Sequence, residues 1–301
     1  MARAAELLIP VELELGGKDP MVIFEDTNLE RAVNGALWGS FVNCGQTCTS
    51  VERIFVQRSI YEKFLALFKE KAERIVTLNH PEGRSSECAL TMGCMTAEFQ
   101  IREIEEQLAA SVQQGARIVT GGRREPGSHV FPPTIITNVS PDMPIQCRES
   151  FGPVITVTPF DSEEEAVQFA NDSEYGLSAS VWSGDISRAL RVARLLVTGN
   201  VSINNVLATQ GNPALPFGGI KNSGFGRYKG ADGLYAFSNI KSVLIDKNSP
   251  RLEAYWYPYS DKKYALLRSA LESLFQMGLI NKFKMAATAI KLELLARKER
   301  M

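Results

Sequence analysis

The chain has 301 residues, of which 45% are apolar and 22% are charged, and its formal net charge at pH 7 is −1. This length fits a globular protein of one or two domains, and the near-neutral charge offers no field that would attract nucleic acid. Residues 1–17 lack the apolar core of a secretory leader, and no run approaches the roughly 18 apolar residues of a spanning helix, which favours a cytoplasmic protein.

Apolar periodicity predicts strands and helices that alternate along most of the chain. Strands are predicted at 9–15, 21–24, 53–57, 116–120, 154–159, 179–182 and 200–204. Helices are predicted at 31–42, 60–76, 96–114, 163–171, 186–196 and 264–275. Thr27 and Glu30 have the spacing of a capping box ahead of the first helix. The alternation indicates an α/β domain with a mainly parallel sheet.

The five cysteines are odd in number and irregularly spaced, which does not resemble a disulfide framework in a chain of this length. At least one thiol is therefore expected to be free. A metal site is not predicted, because only His80 and His129 could join the cysteines, and neither lies at a ligand-like interval from a cysteine pair.

Cys48 follows a glycine-containing loop, Asn43-Cys44-Gly45-Gln46-Thr47, in which backbone amides could approach a reacting oxygen. Cys48 is therefore a candidate nucleophile, although the same local sequence also fits a small buried core residue. Glu14 precedes the turn at Gly16-Gly17 and could direct a carboxylate into a cleft as a general base.

Four stretches, in chain order, resemble signatures of the aldehyde dehydrogenase superfamily. They are Leu13-Glu14-Leu15-Gly16-Gly17-Lys18, Gly45-Gln46-Thr47-Cys48, Glu149-Ser150-Phe151-Gly152-Pro153-Val154 and the glycine-rich stretch from Pro216 to Arg227. The likeness covers residues 5–245 and implies an aldehyde dehydrogenase-like α/β catalytic domain at 16–245. It also implies that the chain is a C-terminal catalytic portion that lacks most of the N-terminal coenzyme-binding domain, of which residues 1–15 would be a remnant strand.

The resemblance implies NAD(P)-dependent oxidation of an aldehyde to a carboxylic acid through a thiohemiacetal and a thioester on Cys48. Glu14 would activate the water that hydrolyses the thioester. Glu149 would bind the hydroxyls of the nicotinamide ribose, and Phe151 would pack beside the nicotinamide. The choice between NAD and NADP stays open, as does the identity of the aldehyde.

Two further residues belong to the predicted aldehyde pocket through the same resemblance. Phe217 would form a wall of the pocket, and Asn204 would lie near the active site. The segment Gly224-Phe225-Gly226 does not continue as the G-x-G-x-x-G pattern of dinucleotide-binding loops, because position 229 is a lysine. We therefore interpret the glycine-rich stretch as a tight turn near the substrate entrance.

Two other classes of function remain open at this point. One is a catalytically silent fragment that acts through a partner chain, and the other is a thiol esterase that uses Cys48 and Glu14 without a cofactor. The family usually forms dimers or tetramers, so a second copy of the chain or a complementing N-terminal chain is an expected partner. Residues 242–246 are the candidate oligomerisation strand.

Residues 246–301 are predicted to form a basic, amphipathic helical tail. From residue 261 to the end there are nine Lys or Arg against four Asp or Glu, and helical spacing groups four apolar residues on one face, namely Leu267, Ala270, Leu271 and Leu274. Such a tail could lie on an anionic membrane surface. Packing against the protein or a partner is favoured, since Glu272, Glu293 and Glu299 interrupt the basic face.

Overall fold

The computed structural model describes residues 1–78, 91–247 and 253–298. His80, Cys88 and Glu299, which entered the sequence arguments, lie outside these ranges. The chain divides into two compact units, Met1–Asn239 and Ile240–Met301. The division therefore falls six residues before the predicted boundary of the tail.

The helices and strands follow the alternation expected from the sequence. The strands are β1 (Leu13–Glu14), β2 (Asp19–Ile23), β3 (Val51–Gln57), β4 (Val76–Thr77), β5 (Thr91–Met92), β6 (Arg117–Thr120), β7 (Thr134–Thr137), β8 (Val154–Phe160), β9 (Tyr175–Gly176), β10 (Ser178–Trp182), β11 (Asn200–Ile203), β12 (Ile220–Lys221) and β13 (Gly224–Phe225). The α-helices are α1 (Ala2–Glu6), α2 (Leu29–Phe41), α3 (Arg58–Ala72), α4 (Glu98–Gln113), α5 (Pro144–Cys147), α6 (Glu163–Asn171), α7 (Ile186–Leu195), α8 (Ala208–Gly211), α9 (Gly230–Ala236), α10 (Asp261–Leu274) and α11 (Leu279–Lys298). A short 3-10 helix spans Val42–Gly45.

Seven strands form the central sheet, in the order β11-β10-β2-β3-β8-β7-β6. Neighbouring strands from β11 to β7 are parallel, and the edge strand β6 is antiparallel to β7. The predicted α/β fold with a mainly parallel sheet is confirmed. Strand β7 was not predicted, since its four residues directly follow Pro132-Pro133 and give too short a pattern to recognise.

Both faces of the sheet are covered by helices, which explains why its central strands are continuously apolar. Along β2, Met21 and Ile23 point into one hydrophobic core, whereas Val22 points into the other. The first core also contains residues of α2, α3 and α4, and the second contains residues of α6 and α7. Strands β2 and β3 are parallel and begin side by side, with Asp19 opposite Val51, so the segments that precede the two strands lie close together at the candidate site.

The predicted strand at 9–15 is wrong in its extent and in its place. Residues Ala2–Glu6 are helical, and only Leu13–Glu14 form a strand, which pairs antiparallel with Gly224–Phe225 and not with the central sheet. The pairing depends on a glycine, because a Cβ on Gly224 would lie 1.9 Å from the carbonyl oxygen of Leu13.

The start of α2 also differs from the prediction. Its N-cap is Asn28, whose side-chain oxygen accepts a hydrogen bond of 3.0 Å from the amide of Arg31. Thr27 lies one residue too early to reach that amide, and Glu30 pairs with Lys71 of α3. An asparagine whose side chain accepts from the amide of the third helical residue is a common N-cap. The N-cap of α2 was therefore predicted at the wrong residue.

The unit Ile240–Met301 contains a helical hairpin of α10 and α11. Ser260 caps α10 by accepting a hydrogen bond of 3.3 Å from the amide of Lys263, and the buried ammonium of Lys263 donates to the carbonyls of Trp256 and Pro258. The predicted apolar face is only partly covered, since Leu271 and Leu274 are exposed. Residues 242–246 contain no strand. Among the described helices, none has the length and apolar character needed to cross a membrane.

Candidate active site

Cys48 lies in a tight loop between the 3-10 helix and strand β3. Asn43, Cys44 and Gly45 adopt left-handed backbone conformations, with φ of 53°, 58° and 69°. The amide of Thr47 then donates to the carbonyl of Gly45 at 2.9 Å, and the amide of Ser50 to that of Thr47 at 2.8 Å. This loop holds Cys48 half-buried, just before the first residue of β3.

The glycine of this loop makes a contact that no other residue could make. A Cβ on Gly45 would lie 2.2 Å from the carbonyl oxygen of Gly152 and 2.9 Å from the nitrogen of Pro153. The backbone around Cys48 therefore packs directly on the segment that contains Phe151-Gly152-Pro153. Two of the signature stretches, about 100 residues apart in the chain, thus meet at van der Waals distance.

Gly16 and Gly17 bring a third signature stretch between Cys48 and Glu149. A Cβ on Gly16 would lie 2.0 Å from Oε2 of Glu149, and one on Gly17 would lie 2.6 Å from the carbonyl oxygen of Cys48. The amide of Gly17 also donates to Oε1 of Glu149 at 3.2 Å. Both glycines are needed, because any side chain there would separate the two functional residues.

Glu14 lies at the edge of this cluster, paired with Gly224 across strands β1 and β13. Its carboxylate is largely accessible, yet partial burial raises its pKa, and the neighbouring carboxylate of Glu12 raises it further. The cations Arg227 and Lys229 act in the opposite direction. A carboxylate whose pKa is above its usual value is a stronger base once ionised, which suits the activation of a water molecule.

The pKa of the Cys48 thiol is raised, first by burial and then by the carboxylates of Asp19, Glu14 and Glu149. A hydrogen bond from the amide of Thr49 opposes this shift. Three carboxylates therefore lie within electrostatic range of the sulfur, and two of them are the residues predicted from the sequence. The thiol form is favoured until a positive charge or a proton acceptor is brought to the sulfur.

Asp19 is a further member of the site that the sequence argument did not identify. It is buried at the start of β2, and its Oδ1 accepts a hydrogen bond of 3.0 Å from the amide of Ser178. Its Oδ2 has no hydrogen-bond partner among the described residues. Burial raises the pKa of Asp19 well above its usual value, which favours the neutral acid close to Cys48.

Glu149 is partly buried, and burial together with the charge of Glu52 raises its pKa to about 7. The amide of Gly17 and the charge of Lys18 limit the shift. A carboxylate in this setting can accept hydrogen bonds from hydroxyl groups of a bound molecule, and doing so would restore its charged form. A carboxylate that can accept hydrogen bonds from hydroxyl groups fits the predicted ribose site.

A buried ion pair holds the backbone that carries Glu149 and Phe151. Lys18 donates to Oε2 of Glu52 at 2.5 Å, and both side chains are at most 2% exposed. The same carboxylate accepts hydrogen bonds from the amides of Ser150 at 2.9 Å and of Phe151 at 3.0 Å. Phe151 has a φ of 45°, so the pair holds it in a backbone conformation that is unusual for a bulky residue.

Helix α4 supports the same segment from the other side. Gln107 accepts a hydrogen bond of 2.9 Å from the hydroxyl of Ser150 and donates one of 3.1 Å to the carbonyl of Glu149. Gln100 donates to the carbonyl of Ser150 at 2.8 Å. Glu52 was not identified from the sequence, although a charged residue within the apolar strand Val51–Gln57 is a signal that could have revealed it.

Phe217 is completely buried and packs edge-on against Tyr228, with ring centroids 5.5 Å apart. Burial and the nearby charges of Glu14 and Cys48 raise the pKa of Tyr228, which places its hydroxyl within electrostatic range of both residues. Tyr228 directly follows the quoted glycine-rich stretch but was not identified from the sequence. Phe217 supports Tyr228, and its role as a pocket wall stays a prediction.

Asn204 ends strand β11 in a left-handed conformation, with a φ of 53°. Its side-chain amide donates to the carbonyl of Ser183 at 2.9 Å and accepts from the amide of Ser183 at 3.0 Å. These bonds connect the carboxyl ends of β10 and β11. The proximity of Asn204 to the substrate stays a prediction.

No group of three or more His, Cys, Asp or Glu suited to a metal ion occurs in the described part of the chain. Cys44, Cys48 and Cys147 are free thiols, in agreement with the expectation that at least one of the five cysteines is free. The cluster therefore offers a thiol, several carboxylates and oriented backbone amides for chemistry.

Comparison with known proteins identifies relatives over most of the chain. The chain is 40% identical, over 275 residues, to a 4,4'-diapolycopene aldehyde oxidase of Methylomonas sp. This alignment covers 91% of the chain and 50% of the relative. The chain is 39% identical, over 251 residues, to a betaine aldehyde dehydrogenase of Sinorhizobium fredii, with 81% of this chain and 50% of the relative covered. The chain thus spans about half the length of these relatives.

Solved structures give the same result for the fold. A betaine aldehyde dehydrogenase of Staphylococcus aureus in complex with NAD+ superposes with a TM-score of 0.77 at 38% identity, covering 86% of this chain and 51% of that one. A lactaldehyde dehydrogenase of Escherichia coli superposes with a TM-score of 0.74 at 33% identity, covering 79% and 49%. The model of the aldehyde dehydrogenase family matches residues 1–243. The chain therefore belongs to the aldehyde dehydrogenase family.

Proposed function

We propose that this chain takes part in the NAD(P)-dependent oxidation of an aldehyde to a carboxylic acid, with Cys48 as nucleophile and Glu14 as general base. The observation that carries the proposal is the convergence at Gly16-Gly17. One side of this pair touches the backbone of Cys48 and the other touches the carboxylate of Glu149, so the proposed nucleophile and the proposed ribose ligand are held next to each other.

In the first step, the Cys48 thiolate attacks the carbonyl carbon of the aldehyde, and a sulfur–carbon bond forms as the carbonyl oxygen becomes an oxyanion. The amide of Cys48 donates to this oxyanion, where a fixed donor stabilises the developing charge without reorganisation. The amide of Thr49 supports the thiolate, since its hydrogen bond lowers the pKa of the sulfur. The product of this step is a thiohemiacetal.

Bound NAD+ or NADP+ would accept a hydride, which is two electrons and one proton, from the former aldehyde carbon, and this loss would convert the thiohemiacetal oxyanion to a thioester. In this chain, Glu149 would accept hydrogen bonds from the ribose hydroxyls, and Phe151 would pack beside the nicotinamide. The raised pKa of Glu149, about 7, fits a carboxylate that awaits such donors. The NAD+ complex of the structural relative supports the same cofactor for this chain.

Hydrolysis then releases the acid. Glu14 takes a proton from water, the resulting hydroxide attacks the thioester carbon, and the carbon–sulfur bond breaks to return the Cys48 thiolate. Partial burial raises the pKa of Glu14 and strengthens it as a base, while the charges of Arg227 and Lys229 oppose the shift.

The relatives are named for different aldehyde substrates, so the assay needs both a short polar aldehyde and a long apolar one. The match to the 4,4'-diapolycopene aldehyde oxidase covers 91% of this chain and so includes part of the tail, whereas the family model ends at residue 243. This difference favours an apolar substrate.

The test is calorimetric titration of the 301-residue chain with NAD+ and NADP+, followed by the absorbance of reduced nicotinamide in the presence of each aldehyde. We expect turnover that is lost in Cys48→Ala, and an initial burst followed by stalled hydrolysis in Glu14→Gln. Cys147→Ala, which removes an exposed thiol, is the matched control and should keep full activity.

Two outcomes would overturn the proposal. Ester hydrolysis that needs Cys48 but no cofactor would identify a thiol esterase. A folded chain that binds no cofactor and has no turnover would support the silent fragment that acts through a partner.

A further inference from the structure

The tip of the α10–α11 hairpin, residues 274–283, is strongly apolar and accessible. Five of its large apolar side chains are at least 74% exposed, namely Phe275, Met277, Leu279, Ile280 and Phe283. Scattered apolar residues are normal on a protein surface, but five within nine consecutive residues concentrate exposed apolar area at one turn, a feature that usually marks an interaction site.

The backbone of the tip is defined by hydrogen bonds of its own. The amide of Phe275 donates to the carbonyl of Leu271 at 3.4 Å, and the side chain of Asn281 donates to the carbonyl of Met277 at 3.2 Å. Gly278 allows the reversal of the chain with a φ of 121°. The apolar side chains are therefore presented by a structured turn.

The buried side of the hairpin uses other residues. Lys263 and Ser273 of α10, and Thr288, Leu292 and Ala296 of α11, are its buried positions. The tip side chains contribute little to this packing, since they are exposed within the unit that contains them. Their apolar character is therefore not explained by the folding of the hairpin itself.

The charges around the tip indicate which kind of partner it fits. Lys282 and Lys284 flank Phe283, and neither forms an ion pair with another described residue. The nearest acidic residue in the sequence, Glu272, lies 3.6 Å from Arg268. Two free ammonium groups beside exposed aromatic and aliphatic side chains complement a surface with phosphates outside and acyl chains below.

We propose that the hairpin tip docks on an anionic lipid bilayer, with Phe275, Leu279 and Ile280 inserted between the headgroups and Lys282 and Lys284 bound to lipid phosphates. A convex tip of ten residues suits a deformable lipid surface better than a protein partner, which needs about 800 Å² from each side for a stable interface. This attachment is interfacial and does not span the bilayer. It is independent of the proposed catalytic activity.

The test is co-sedimentation of the 301-residue chain with vesicles of pure phosphatidylcholine and of equal parts phosphatidylcholine and phosphatidylserine. We expect binding to the anionic vesicles that is roughly tenfold tighter or more, because two lysines approach the charged surface. The double variant Leu279→Asp/Ile280→Asp should lose binding to both. Lys282→Gln/Lys284→Gln should lose the preference for anionic vesicles.

The control is Phe99→Asp on α4, which replaces an apolar side chain that is 70% exposed and adds one negative charge away from the tip, where the double variant adds two. It should bind as the parent does. Circular dichroism checks that all variants fold. Equal loss in the control and in the tip variants would overturn the proposal, and so would vesicle binding that survives Leu279→Asp/Ile280→Asp. Self-association in solution that this double variant abolishes would instead identify a second copy as the occupant of the tip.

Discussion

Replacing Glu52 by glutamine should destabilise the chain mainly through the charge that is left behind on Lys18. The substitution keeps the size of the side chain, but its single amide oxygen can accept from only one of the amides of Ser150 and Phe151, which bind different oxygens of Glu52. The ammonium of Lys18, however, loses a carboxylate at 2.5 Å in a site that is at most 2% exposed. Removal of one partner of a buried pair typically costs about 3 to 5 kcal/mol.

The ionisation of Lys18 sets an upper limit to this cost. Burial already lowers the pKa of Lys18, and the charge of Glu52 opposes that effect. Without Glu52, the amine can lose its proton, at a cost of about 5 kcal/mol at pH 7 but only about 2 kcal/mol at pH 9, given a pKa near 10.4 in the unfolded chain. Because the unfolded state then binds one more proton than the folded state, the stability of the variant rises with pH.

The assay is urea unfolding of the parent and of Glu52→Gln at pH 7 and pH 9. We expect a loss of about 3 to 5 kcal/mol at pH 7 that shrinks to about 2 kcal/mol at pH 9. Glu62→Gln, an exposed acid on α3, is the control and should change stability by no more than about 0.5 kcal/mol. The double variant Lys18→Met/Glu52→Gln should recover part of the loss, since no buried charge remains.

A loss below about 1 kcal/mol at pH 7, or one that is the same at both pH values, would refute the reasoning. Either result would mean that the unpaired Lys18 is not the source of the cost. A loss of stability that the double variant does not relieve would point to the amide hydrogen bonds of Ser150 and Phe151 instead.

Three further predictions concern the catalytic cluster. Gly45→Ala should lower the free energy of unfolding in urea by about 2 to 5 kcal/mol, because alanine is strained in the left-handed conformation and its Cβ would overlap Gly152. The control Gly127→Ala, at a φ of 70° with nothing within 4 Å, should cost only about 1 to 2 kcal/mol. Equal costs would exclude the close contact at Gly45. The rate of alkylation of Cys48, measured by peptide mass spectrometry as a function of pH, should have its midpoint above the usual thiol pKa of about 8.5. Glu149→Gln should lower that midpoint, and an unchanged pH profile in this variant would contradict the prediction. The raised pKa of Glu149 contributes stability that is complete below about pH 4.5 and is lost as the pH rises past about 7. The free energy of unfolding of the parent, measured relative to that of Glu149→Gln, should therefore fall by up to about 3 kcal/mol across that window. Parallel pH curves for the two proteins would contradict this prediction.

The fold class could be predicted from local sequence, and a candidate nucleophile could be proposed from it. Continuous apolar strands alternate with amphipathic helices, and this pattern has few solutions other than a parallel sheet covered on both faces. Cys48 was proposed from its glycine-containing loop and Glu14 from the turn at Gly16-Gly17, and the family resemblance supported both. Errors concerned short elements, such as β7 and the strand at 9–15, where too few residues carry a periodic signal.

The partners of each functional residue could not be predicted in this way. The carboxylate of Glu52 binds the amide of Ser150, 98 residues later, and Gly45 touches Gly152, 107 positions away. Periodicity and spacing describe neighbours on one element and carry no information about such contacts. Only the packing of β3 against the loop after α5 brings them together.

The sequence by itself determined which residue types are available: a thiol after a glycine loop, a carboxylate before a glycine pair, and a basic tail with apolar residues. The tertiary structure decided how they act, because burial and distance set the pKa values and the exposed surfaces. It raised the pKa of Cys48 through burial and three carboxylates, and it left the hairpin tip uncovered. A side chain acquires its chemistry from the charges and the solvent around it, and these depend on residues that are remote in the chain.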